Sequence, residues 1–96
     1  GSGPAYVFYL AEAMTDAALR CGFTREDAEL IVRQTLLGSA TQLAQASESA
    51  RELRGAVTSK GGTTEAAIAT MDRHHVLGVI ADAILAGRDR ARELGQ

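Results

Sequence analysis

Thr24-Arg25-Glu26-Asp27-Ala28-Glu29-Leu30-Ile31-Val32-Arg33-Gln34-Thr35-Leu36 is the stretch whose spacing decides the fold. Ala28, Ile31, Val32, Thr35, Leu36 and Ser39 recur at i, i+3, i+4 and i+7, continued by Leu43. That is one face of an α-helix. Thr24 offers an N-cap oxygen, and Asp27 three residues on makes a shorter variant of the capping box. Gly38 interrupts the stripe at a cost of about 1 kcal/mol against Ala. A close helix–helix crossing at that point would explain it.

Working outward, the preceding segment reads as a helix from Pro4 to Arg20. Proline at the first helical position gives up only an N–H that has no partner there, and Ser2 or Gly3 can cap it. Gly22 follows Cys21 as a stop able to take positive φ. Tyr6, Val7, Phe8, Leu10, Met14 and Ala18 cover well over half the circumference of this helix. A helix so broadly apolar contacts something on two sides, and in a small domain another subunit is a natural second contact.

Downstream, Ser47 or Ser49 caps a short third helix ending near Gly55, with Ser49 and Glu52 at capping-box spacing. A polar, glycine-rich stretch, Val57 to Thr64, then leads straight into a helical run from Glu65 to Arg73. The last helix spans Val76 to Leu94, with Val76, Ile80, Ala83, Ile84, Ala91 and Leu94 as its apolar stripe. Arg88, Asp89, Arg90, Arg92 and Glu93 make a solvated end. No strand alternation and no internal repeat are present. The expectation is an all-α bundle of about five helices.

Ninety-six residues make one domain, residues 1–96, without room for a second core. A chain this short buries only about 60–65% of its unfolded surface. Apolar residues are 46% of the total but aromatics only 4%, so small side chains supply much of the apolar share. Each of these removes little surface from water, and such a domain gains more than most from a partner's surface. The net charge of −2, spread along the chain, offers no basic stripe for nucleic-acid phosphates. The longest apolar run, Ala5 to Ala11, is too short to span a bilayer, and no cleavable signal is visible. The single Cys21 cannot form an internal disulfide and is expected to pack within a helical pattern, which suits a reducing cytosol.

One feature has chemical content, the loop Ser59-Lys60-Gly61-Gly62-Thr63-Thr64 that feeds a helix. A helix start presents unsatisfied N–H groups and the positive end of the macrodipole. Two preceding glycines let further N–H groups aim at the same point and leave no side chains in the way. Hydroxyls of Ser59, Thr63 and Thr64 add adjustable donors, and together these suit a small anion such as a carboxylate. The plainer alternative is a turn in which Thr63 or Thr64 is only an N-cap. The loop has neither the Walker spacing nor a strand before it, as a dinucleotide fingerprint would need.

Other chemistry-bearing residues read as structural. Adjacent His74 and His75 would diverge by roughly 100° on a helix, so they cannot chelate one metal, and a helix C-terminal role fits them better. Tyr6 and Tyr9 read as interface or core residues.

The chain resembles the C-terminal domain of pyrroline-5-carboxylate reductases. Gly1-Ser2-Gly3-Pro4-Ala5-Tyr6-Val7-Phe8 is similar to the segment that opens that domain, and Val57-Thr58-Ser59-Lys60-Gly61-Gly62-Thr63-Thr64 to its signature loop. Gly22-Phe23-Thr24-Arg25-Glu26-Asp27-Ala28 and Arg92-Glu93-Leu94-Gly95 also fit, so the likeness covers essentially the whole chain. Lys60 stands where the signature usually has Pro, which removes a fixed φ and adds a charge. His74-His75 replaces a Gly-containing turn common there.

The resemblance implies a bundle like the C-terminal domain of 6-phosphogluconate dehydrogenase, intertwined with a second copy as a homodimer in a cytoplasmic enzyme. It further implies NAD(P)H-dependent reduction of 1-pyrroline-5-carboxylate to L-proline, the last step of proline biosynthesis. The cofactor would bind an upstream Rossmann domain outside this chain, so the 96 residues alone would be inactive. Carried onto this sequence, Ser59, Gly61, Gly62 and Thr63 would hold the substrate carboxylate, and Thr64 would act at the imine nitrogen as the catalytic residue. No metal, nucleic acid or membrane is implied. Two other readings stay open: a non-catalytic helical dimerisation module, and a related imine or F420-type reductase domain with another substrate.

Overall fold

The computed structural model describes residues 1–95. It contains five helices: α1, Gly3–Arg20; α2, Arg25–Gln45; α3, Ala50–Ala56; α4, Thr63–Arg73; and α5, Val76–Leu94. Among the described residues there is no strand, so the all-α expectation holds. The helices fall into two compact units, α1 with α2, and α3 to α5 from Ala50 onward.

In the first unit, α1 ends as its sequence requires. Gly22 takes φ 101°, and its N–H donates to the Leu19 carbonyl at 3.0 Å while the Phe23 N–H donates to Ala18 at 3.2 Å. These paired bonds are a Schellman closure, which satisfies carbonyls that a helix end otherwise leaves free. Thr24 then caps α2, its Oγ1 accepting the Asp27 N–H at 3.2 Å. At the start of α1 the expected cap is different. Ser2 holds the N-cap position but makes no side-chain capping bond, because its backbone is already in the right-handed helical region. Side-chain capping needs an extended N-cap backbone, which Thr24 has and Ser2 lacks.

The stripe on α2 packs where its spacing places it. Ala28 is 0% exposed and Val32 3%, and Leu36 is half-buried. Ile31, Thr35 and Ser39, at the edges of that stripe, are exposed. On α1, Tyr6, Ala11, Met14, Ala18 and Leu19 are half-buried, while Phe8 is 66% exposed. An open groove of about 690 Å³ runs over this helix pair, with Val7, Phe8, Leu19, Val32 and Leu36 among its lining. Charged side chains share that lining, including Glu29, which lies 3.8 Å from both Arg25 and Arg33. Among the described residues nothing lies within 4 Å of the position a Cβ on Gly38 would occupy, so α1 does not make the close crossing expected there.

Cys21 departs from expectation. It is exposed, at the C-cap of α1 and not packed inside a helix. The helical pattern ends one residue earlier than its apolar character suggests, because the Gly22 turn sets the last turn of α1.

In the second unit, α4 and α5 pack together through a two-residue turn. His74 is the C-cap of α4, in line with the helix C-terminal role read from sequence. His75 follows in the left-handed region at φ 55°, ψ 38°, with its N–H on the Asp72 carbonyl at 3.1 Å. The apolar stripe of α5 stays largely uncovered, with Ile80, Ile84 and Leu94 exposed. Its solvated end is laced by Arg90–Glu93 at 2.9 Å and Arg88–Asp89 at 3.0 Å.

Ala28 and Val32 are the only buried apolar residues described. The chain exposes 7839 Å². Two separate compact units of half its mass would together expose only about 6,400 Å² by the mass scaling of monomers. The surplus holds whatever the placement of the units, and much of it is apolar.

Candidate functional site

The loop between α3 and α4 is built in three steps. At its start, Thr58 turns back onto α3, its Oγ1 donating to the Arg54 carbonyl at 2.6 Å and its N–H to Gly55 at 3.1 Å. Next, the Gly62 N–H donates to the Ser59 carbonyl at 3.0 Å, closing a four-residue turn over Ser59-Lys60-Gly61-Gly62. Gly61 sits at its third position with φ 74°. A positive φ there marks a type II turn, which glycine adopts without steric cost. Finally, α4 begins at Thr63 with an extended Gly62 as its N-cap and no side-chain cap.

Gly62 is favoured for a different reason. A Cβ there would lie 3.2 Å from the Ser59 carbonyl oxygen, tighter than the turn allows without shifting. The glycines shape the loop, but their own N–H groups do not aim at a common point as the sequence suggested: both are used within the loop. Gly61 supplies the conformation and Gly62 the clearance.

The donors separate into two groups. The Gly62 N–H is engaged in the turn, and the Gly61 N–H donates to the Glu65 carboxylate at 2.9 Å. The first helical N–H groups, those of Thr63 and Thr64, precede the helix's own hydrogen-bond ladder, whose first rung is Ala66 N–H to the Gly62 carbonyl at 3.3 Å. Thr64 and Gly62 are half-buried, while Ser59, Lys60, Gly61 and Thr63 are exposed. The hydroxyls of Ser59, Thr63 and Thr64 make no hydrogen bond among the described residues.

All the residues singled out from sequence therefore fall on one turn and the first turn of one helix, with hydroxyl and N–H donors available. Glu65 was not singled out. Its signal was present, because a Glu at the third helical position commonly reaches back to an N–H before the helix. Here it reaches one residue further than the usual box, to Gly61. Among the described residues no His/Cys/Asp/Glu group could hold a metal ion. No helix is long and apolar enough to cross a membrane.

Comparison with known proteins gives the arrangement its context. The chain is 42% identical over its whole length to a pyrroline-5-carboxylate reductase of Pseudomonas aeruginosa, and 38% identical to one of Arabidopsis thaliana. It spans about a third, 35%, of the length of each of these relatives. Among solved structures, 98% of it superposes on 35% of a Coxiella burnetii pyrroline-5-carboxylate reductase, with a TM-score of 0.92 and 44% identity. A Plasmodium falciparum pyrroline carboxylate reductase with NADP bound matches the whole chain at a TM-score of 0.94 and 26% identity, over 37% of its own length. A family model described as pyrroline-5-carboxylate reductase dimerisation matches residues 1–94. With a family match over residues 1–94, the chain belongs to the pyrroline-5-carboxylate reductase dimerisation family.

Proposed function

We propose that this chain is the dimerisation and substrate-binding domain of a pyrroline-5-carboxylate reductase, and that the Ser59–Thr64 loop holds the substrate. The observation that carries the proposal is a family match over residues 1–94 in a chain whose one donor-rich loop opens onto a helix N-terminus. The intact protein would reduce 1-pyrroline-5-carboxylate to L-proline with NAD(P)H, as a homodimer in the cytoplasm.

The division of labour follows from the chemistry of the donors. The substrate carboxylate is an anion, and the first N–H groups of α4 with the macrodipole favour an anion at that point. The Thr63 N–H and the Ser59 hydroxyl would take its two oxygens. The half-buried Thr64 hydroxyl would donate to the imine nitrogen, where electron density gathers as the C=N bond is reduced. A threonine hydroxyl is too weak an acid to be the final proton source, so Thr64 orients the imine or relays a proton through water. Holding the ring by its carboxylate fixes which face is presented, and that is catalysis by positioning.

The residues of this chain do not fit a dinucleotide. The glycine pair follows a helix, and no described strand leads into it, so the strand–glycine–helix cradle for a pyrophosphate is lacking. The domain's share of the reaction is confined to the substrate, with the cofactor on a Rossmann domain outside these residues.

The test is steady-state kinetics of the full-length protein that carries this domain, following NADPH oxidation with 1-pyrroline-5-carboxylate. Thr64→Ala is expected to lower kcat by roughly ten- to a hundredfold. Ser59→Ala is expected to act mainly on the KM of the imine. Absence of turnover by the unsubstituted protein would leave a non-catalytic dimerisation module, or a reductase of a different imine, as the remaining readings.

A further inference from the structure

A type II turn is defined by the orientation of its central peptide, here the one joining Lys60 to Gly61. Rotating that peptide by half a turn converts type II to type I and swings the Gly61 N–H to the other side of the loop. Proline at the second position pre-sets φ and favours such turns, and this chain has Lys60 there. Lysine places no such restraint on the backbone. The sole hydrogen bond described for the central peptide is the one its N–H donates to the Glu65 carboxylate at 2.9 Å.

Glu65 is the third residue of α4, one after Thr64. Its bond thus ties the turn to the helix end whose donors would receive the substrate. We infer that Glu65 is a positioning residue, a tether that holds the Lys60–Gly61 peptide in the type II orientation and so sets the loop for carboxylate binding. The inference rests on the proposed substrate site at Ser59–Thr64. Glu65 does not touch the substrate in this arrangement. It acts through Gly61, by a hydrogen bond whose acceptor is a carboxylate.

Three consequences separate a tether from a general structural role. The bond needs an acceptor oxygen and not a charge, so Glu65→Gln should retain the loop and Glu65→Ala should lose it. A second, independent restraint should replace the tether. Lys60→Pro supplies one, because proline followed by Gly61 is the pairing that type II turns favour, and it removes no backbone hydrogen bond, because the Lys60 N–H donates to none among the described residues. The effect should fall on binding, not on the chemical step.

The experiment combines kinetics of the full-length protein with amide hydrogen exchange at Gly61. Expected are a KM for 1-pyrroline-5-carboxylate raised roughly three- to tenfold in Glu65→Ala with kcat little changed, near-normal KM in Glu65→Gln, and recovery in Glu65→Ala/Lys60→Pro. Gly61 exchange should quicken in Glu65→Ala alone and stay slow in Glu65→Gln. Faster Gly61 exchange with an unchanged KM, or failure of Lys60→Pro to restore KM, overturns the inference and leaves the proposed function standing. No turnover in the unsubstituted protein overturns the functional reading, and with it this role for Glu65. The exchange data would then still report whether the bond exists.

Discussion

At the scale of single residues, backbone conformation decides more than side-chain contacts do. His75 is the one non-glycine residue described with positive φ, and its exposed imidazole makes no hydrogen bond or ion pair among the described residues. A left-handed residue with a Cβ costs about 1–2 kcal/mol, somewhat less for His than for branched residues. Glycine there loses part of that gain to the entropy of the unfolded chain. His75→Gly is therefore expected to stabilise the fold by about 0.5–1 kcal/mol in urea unfolding monitored by circular dichroism. A loss of stability would mean that the imidazole has a contact outside the described chain. The same logic shows what could be read in advance. Gly22 and Gly61 were legible because glycine takes positive φ at the least steric cost, and Gly62 because a turn into a helix leaves little room for a side chain. Thr24 was legible because its oxygen serves a nearby N–H. Ser2 was not, since capping depends on a backbone angle that the residue type does not fix. Glu65 was overlooked because a Glu in a first helical turn usually reads as a charge facing the dipole, and its bond to Gly61 depends on the turn before it.

At the scale of helices, periodicity together with caps and glycine stops placed all five elements, with α5 at the residues its stripe implied and α4 beginning two residues before Glu65. What periodicity could not tell is which surface covers each stripe. Cys21 and Gly38 illustrate this: one was expected to be packed and the other crossed, and α1 and α2 together do neither. Helix α5 makes the point most sharply. Leu77 is 65% exposed and Ile84 41%, although these are the residues an amphipathic helix should bury. A helix in a protein draws most of its stability from packing of its apolar face, and α5, 19 residues long, has little of that here. If a second copy provides the cover, stability of α5 must depend on protein concentration. Amide exchange in α5 is thus expected to slow as concentration rises, and Ile84→Ser to lower the thermal midpoint by several degrees while weakening that dependence. Exchange independent of concentration would show that α5 is stable without a partner.

For the whole molecule, the surface excess sets the size of what is missing. Against about 6,400 Å² for two separate compact units, the 7839 Å² exposed is an excess of about 1,400 Å² per chain, surface that a second copy is suited to cover. Two copies would then bury about 2,800 Å², inside the range of obligate homodimers and above that of transient contacts. The apolar breadth of α1 supports the same conclusion. Phe8 lines the groove over α1 and α2 yet is 66% exposed, so within the chain it covers the groove without being covered. If the 10.1 kDa chain were a monomer, a charge at such an exposed position would alter stability by no more than about 0.5 kcal/mol. In a dimer that covers Phe8, Phe8→Glu would instead carry a carboxylate into the contact, at a cost to association of several kcal/mol. Sedimentation equilibrium should therefore give twice the chain mass for the parent protein and a shift towards the single-chain mass for Phe8→Glu. In the full-length protein the same substitution should reduce reductase activity in step with dissociation, with activity returning at high protein concentration. A Phe8→Glu protein that stays dimeric and fully active would place the contact elsewhere on α1, whereas a parent protein that is monomeric throughout would remove the dimer itself.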